Sequence, residues 1–135
     1  MPLIERYYTS HLEVCGDSMA KRDNGPAFMN GVPELLVLRL LAGGEMYGYE
    51  LVQAIRSQSA ETFTFGEGVI YPVLHGLEHD GALKTRHEIV NGRSRVYYRL
   101  TAAGKRRLGE LSATWGKVAQ AIQGILQGGG HVEAV

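Results

Sequence analysis

Between Lys84 and Arg107 the chain holds eight lysines or arginines against one acid, Glu88. Three of the arginines, Arg93, Arg95 and Arg99, lie at even spacing in RSRVYYRL. On an extended strand they leave the same side, about 6.6 Å apart for every two residues at roughly 3.3 Å per residue. Planar, permanently charged guanidinium groups in a row suit a ligand that is itself a row of anions, above all the phosphates of a nucleic-acid duplex. The chain is formally neutral, yet residues 1 to 83 carry five basic and eleven acidic side chains while residues 84 to 107 have a net charge of plus seven. Neutrality therefore conceals a lopsided field of the kind that attracts a polyanion. A basic run alone also describes a solvated face, so the neighbouring elements must decide.

Directly before the basic run, residues from about Glu67 to Asp80 have helical periodicity. Ile70, Val73, Leu74 and Leu77 fall on one face, and Gly68, Tyr71, Pro72, His75 and His79 on the opposite one. Pro72 is tolerable because it lies near the helix start, and Gly81 supplies the positive φ that stops the helix. Two alternating runs follow. Leu83, Thr85, His87 and Ile89 alternate with Lys84, Arg86 and Glu88; beyond a four-residue turn, Asn91 to Ser94, the arginines alternate with Val96, Tyr98 and Leu100. Period two across an Asn-Gly turn predicts a hairpin. Thr101 then caps a helix whose stripe is Leu108, Leu111, Trp115, Val118, Ile122 and Leu126.

Upstream, Pro33 and Glu34 suit a first helical turn, and ELLVLRLLA is apolar almost all round, as in a helix enclosed by others. Gly43-Gly44 ends it. A second helix, about Tyr47 to Ser59, buries Gly48, Leu51, Val52 and Ile55. The fold class is mainly α with a two-stranded β-wing: a winged helix-turn-helix over residues 32–102, then a C-terminal dimerisation helix over 103–127. Residues 1–31 are expected to form an extension, with a short helix at 4–15 and then a linker, and 128–135 are expected to be a disordered tail.

Within this order the helix from Glu67 fits a major groove, with Tyr71 and His75 best placed to reach bases or phosphates and Gly68 and Pro72 beside them. Lys84, Arg86, Arg93, Arg95 and Arg99 would grip the backbone or enter a minor groove. The sequence therefore points to a protein that binds double-stranded DNA. The rival readings are a protein-interaction module whose basic wing meets an acidic partner, and a ligand sensor reporting through Trp115.

Other chemistry has weaker support. His75 and His79 are four apart, as zinc ligands can be, and Glu78, His87 or Cys15 could complete a site, but a second His or Cys pair at ligand spacing is missing. Cys15 and His11 have no orienting third group to make a nucleophile, and the glycines of QGGGH lack the Lys and helix of a phosphate cradle. Neither enzymatic activity nor a cofactor is expected. The single Cys15 forbids an internal disulfide, and no stretch approaches the roughly 20 apolar residues of a membrane span, so a cytoplasmic location is expected.

The segments ELLVLRLLAGGEMYGYEL, EGVIYPVLHGLEHDGAL and NGRSRVYYRLTAAGKRRL, followed by the Trp-containing helix, resemble the PadR family of transcriptional regulators from about Glu34 to Leu126. The resemblance implies a cytoplasmic homodimer that represses a nearby operon and is released by a small effector. It gives Tyr71 the place of the recognition-helix tyrosine and puts Lys84, Arg93 and Arg95 on the wing. The single final helix is similar to the family's compact branch, in which two such helices pair around an aromatic-lined pore for flat drug-like or phenolic molecules. On that likeness Leu111, Trp115, Val118 and Ile122 would line the dimer interface and effector site, unless Trp115 is dimer-core packing alone. Val69 stands where many members have Ser or Thr, and Gly76 where many have Arg, so the operator sequence does not carry over.

Overall fold

In the computed structural model, residues 31–128 are described. Helix α1, Val32–Leu41, starts with Pro33 in its first turn and Glu34 at the positive end of its dipole. It packs against the second and third helices, the last helix and the central strand. That enclosure is why ELLVLRLL carries so little polarity; Val37 and Leu38 are wholly buried. Strand β1, Met46–Tyr47, leads into α2, Gly48–Gln58, whose buried residues are the expected Gly48, Leu51, Val52 and Ile55.

Beyond α2, Ser59 Oγ donates to the Ile55 carbonyl at 2.7 Å and accepts from Phe63 N–H at 3.0 Å. This folds TFTFGEG back over the helix end, stacking Phe63 on Phe65 at 5.6 Å and burying Phe65 in the core. Helix α3, Glu67–His79, buries Ile70, Leu74 and Leu77, and Gly81 follows with φ +83°.

Strands β2, Leu83–Val90, and β3, Arg93–Leu100, make the wing. Two details differ from expectation. The sheet has three strands, in the order β1-β3-β2, because Met46 and Tyr47 pair with Tyr98 and Tyr97. A two-residue strand is too short to show a period. The turn has two residues instead of four: Asn91 and Gly92, at φ +53° and +77°, connect the paired Val90 and Arg93. Positive φ at both positions is the tight hairpin geometry that matches strand twist.

Helix α4, Ala102–Leu126, is fastened to the wing's root by Thr101. Its Oγ1 donates to the Gly81 carbonyl at 2.6 Å and accepts from Gly104 N–H at 3.1 Å, while its own N–H bonds the Ala82 carbonyl at 3.0 Å. The expected helix at 4–15, the linker after it and the tail beyond Gly128 lie outside the described residues.

Candidate nucleic-acid interface

Tyr71 and His75 lie one turn apart on α3, and both are half-buried. The Tyr71 ring lies against Gly48 at the start of α2, where a β-carbon would come within 2.8 Å of it. Burial, and then the negative charge of Glu67, push the Tyr71 phenol above its ordinary range. His75 Nδ1 is 2.6 Å from the Tyr71 carbonyl oxygen. If Nδ1 carries the proton it donates there, leaving Nε2 as an outward acceptor. Gly68 is exposed in the first turn of the same helix.

Pro72 is a correction: it is buried, not outward. Because α3 is packed by α1, α2 and β2, its open flank is narrower than the 3.6-residue period suggests, and Pro72 falls outside it. Between α3 and the wing lies a cleft of about 340 Å³ bordered by Tyr47, Gly48, Tyr71, His75, Ser94, Arg95, Val96 and Tyr98. Among the described residues no carboxylate borders it. Burial pushes the Tyr98 phenol up to about 12.

The wing arginines divide into two kinds. Arg93, Arg99 and Lys84 are exposed and make no ion pair among the described residues; Lys84 and Arg99 are cross-strand neighbours. Arg86 is different. Its guanidinium clasps both carboxylate oxygens of Glu45, pairs with Glu88 at 2.7 Å and lies over the Tyr97 ring. Hydrogen bonding to Glu45, and then to Glu88, raises the Arg86 pKa, while its hydrogen bond to Glu45 holds that carboxyl below the usual range. A clasp between residues 41 positions apart has no trace in local sequence. Arg86, placed with the free phosphate-binding cations by its spacing, is therefore neutralised within the chain. Glu45→Gln is expected to tighten binding to random-sequence duplex severalfold at low salt and to steepen the salt dependence, as measured by fluorescence anisotropy. Unchanged binding would mean that Arg86 never meets DNA.

Arg95 is half-buried and stacks on the Tyr47 ring at 4.3 Å. A hydrogen bond to Tyr97 raises its pKa. At the wing's root, Arg107 of α4 bonds Glu34 at 2.6 Å and Asp80 at 3.2 Å, ties α4 to α1 and the end of α3, and is thereby committed to structure.

Along α4, Leu108, Leu111 and Trp115 pack partly against the chain's own core. Only beyond them is the stripe open: Val118, Ile122, Ile125 and Leu126 are all exposed. Leu111 and Trp115 are thus only partly covered by the winged domain. Among the described residues, no three His, Cys, Asp or Glu side chains come together as a metal site, and no helix is long and apolar enough to cross a membrane.

A sequence model of the transcriptional regulator PadR-like family matches residues 37–110, from inside α1 to the first turns of α4. The chain belongs to this family. Transcriptional regulator Rv3488 of Mycobacterium tuberculosis is 36% identical over 83 residues, covering 62% of this chain and 75% of that protein. The crystal structure of a PadR-like transcriptional regulator from Bacillus cereus is similar at TM-score 0.64 and 30% identity, covering 74% of this chain and 96% of the other. Bacillus subtilis PadR, solved in complex with operator DNA, is similar at TM-score 0.56 and 27% identity, over 59% of this chain and 46% of that one. The mainly helical winged fold with a three-stranded antiparallel sheet is that of the family.

Proposed function

We propose that this PadR-family chain is a homodimeric, sequence-specific DNA-binding repressor released by a small effector. In this reading α3 enters a major groove by its Gly68, Tyr71 and His75 flank, and the wing lays Arg93, Arg95, Arg99 and Lys84 along the backbone. The observation that carries it is that the wing cations Lys84, Arg93 and Arg99 are exposed and make no ion pair among the described residues, beside a cleft whose described lining holds no carboxylate. Two protomers related by a twofold axis would read an inverted repeat with half-sites about 34 Å apart, one helical turn. The operator complex of Bacillus subtilis PadR supports DNA as the ligand class. The effector, a small aromatic or phenolic molecule, would lie between subunits beside Trp115, whose half-buried ring sits where the covered part of α4 gives way to the open part.

Binding to the DNA upstream of the chain's own gene, titrated across a salt series, tests the reading. With Lys84, Arg93, Arg95 and Arg99 of each of two protomers on phosphates, affinity is expected to fall by about 10³ to 10⁵ between 50 and 200 mM salt. Arg93→Ala is expected to weaken operator and random duplex alike, whereas His75→Ala changes base preference. A salt-independent affinity would rule out the phosphate grip.

A further inference from the structure

Four side chains form a continuous row across the outer face of the sheet. The Arg86 guanidinium lies 4.5 Å from the Tyr97 ring centre, Tyr97 meets Tyr47 edge to face at 5.5 Å and 74°, and the Arg95 guanidinium lies 4.3 Å from the Tyr47 ring centre. The two ends are held by different physics. Arg86 is fixed by Glu45 and Glu88, which occupy its donors and cancel its charge. Glu88 is the cross-strand neighbour of Arg95, yet its carboxylate pairs with Arg86, and Arg95 makes no ion pair among the described residues. Arg95 rests on a ring face instead.

That difference matters for a cation that must bind an anion. A carboxylate partner orders a guanidinium by neutralising it. An aromatic face attracts the flat side of the guanidinium and leaves its in-plane N–H groups available, apart from the one shared with Tyr97. A free arginine loses considerable rotamer freedom on binding, and ordering it beforehand removes that cost. Tyr47 is itself firmly held: β1 pairs it with Tyr97, and its N–H bonds Glu50 Oε1 at 3.2 Å as α2 begins.

We propose that Tyr47 is a positioning residue for DNA binding: its ring is the platform that holds Arg95 ordered and out of an ion pair with Glu88, at the border of the cleft between α3 and the wing, ready for a backbone phosphate. This rests on the reading that the wing engages DNA. Tyr47 acts through Arg95 and need not touch the nucleic acid.

The test is a double-mutant cycle on random-sequence duplex DNA with the full chain. Tyr47→Leu keeps the backbone pairing but removes the ring, and is expected to weaken binding about fivefold, the scale of one cation–π contact. Tyr47→Phe, which retains the ring, is expected to bind as the parent does. In an Arg95→Ala background, Tyr47→Leu is expected to cost nothing further. Additive losses in the double variant, or a Tyr47→Leu protein that binds like the parent, would overturn the proposal. Should Tyr47→Leu fail to fold, NMR of the unsubstituted protein decides: a ring-current shift of the Arg95 side chain and ordered Nε–H dynamics are expected, and shifts typical of a free arginine would refute it. A parent protein that binds no duplex at all strikes instead at the DNA reading beneath, which separates the two failures.

Discussion

Replacing Gly104 by alanine is expected to lower the unfolding midpoint by roughly 10 °C or more, although alanine is the better helix former. Two effects compete. Alanine in a helix is favoured over glycine by about 1 kcal/mol. Against it, a β-carbon at position 104 would stand 2.2 Å from the Ala82 carbonyl oxygen and 2.9 Å from Leu100 Cδ2. The first neighbour is backbone and cannot rotate aside, so the first turn of α4 must lift from the root of the wing. Lifting it strains the two hydrogen bonds by which Thr101 ties α4 to Gly81 and Ala82. Overpacking of this kind costs about 1–3 kcal/mol, and with hydrogen bonds lost as well the clash outweighs the helical gain, at about 4–8 °C per kcal/mol for a fold of this size. Gly109, with nothing within 4 Å of its would-be β-carbon, is the control. Gly109→Ala is expected to be stabilising by up to about 1 kcal/mol. Calorimetry on both variants gives the comparison, and equal shifts of the same sign would mean that the close approach at Gly104 is not what the packing depends on.

Gly104 also shows where sequence reading stops. Its neighbour Thr101 is recognisable as a helix cap, because Ser and Thr before a helical period have a local meaning. That the glycine three residues on is obligatory follows only from how closely α4 passes the Ala82 carbonyl, which no local pattern records. The same division runs through the interface. The hairpin is legible because period two and Asn-Gly are local, and α3 because Ile70, Leu74 and Leu77 keep a 3.6-residue rhythm. The burial of Pro72 and the neutralisation of Arg86 depend on α1 and α2 against α3 and on Glu45 reaching the wing, both contacts between distant segments. Tyr47 is missed for the same reason: in sequence it reads as the first residue of a helix, and only the third strand brings it beside Tyr97 and Arg95. Charge and period thus nominate the surface proposed to meet DNA, while tertiary packing selects which of its cations are left without an ion pair among the described residues.

Ile122→Glu is expected to convert the protein to a monomer at micromolar concentration and to weaken binding to an inverted repeat by about 10² or more, leaving the winged domain folded. Up to Trp115, α4 shares a buried face with the core; beyond it Val118, Ile122, Ile125 and Leu126 are 41–80% exposed on a helix that continues for three more turns. A single exposed isoleucine is unremarkable, but four large apolar groups in sequence on one free helix mark an interaction surface. In the proposed homodimer a second copy of the same helix would cover it with matching chemistry, since a twofold axis sets each stripe against itself. A carboxylate introduced at Ile122 would then be buried opposite another, and like charges withdrawn from water oppose association strongly. DNA affinity falls with it because a dimer presents its second wing and α3 at a high effective concentration once the first is bound, an advantage of about 10² to 10⁴. Sedimentation equilibrium measures the first effect and operator titration the second, with circular dichroism confirming retained helix. An Ile122→Glu protein that sediments as the same species as the parent would place the dimer contact elsewhere, whereas a monomeric parent would remove the twofold reading of the operator altogether.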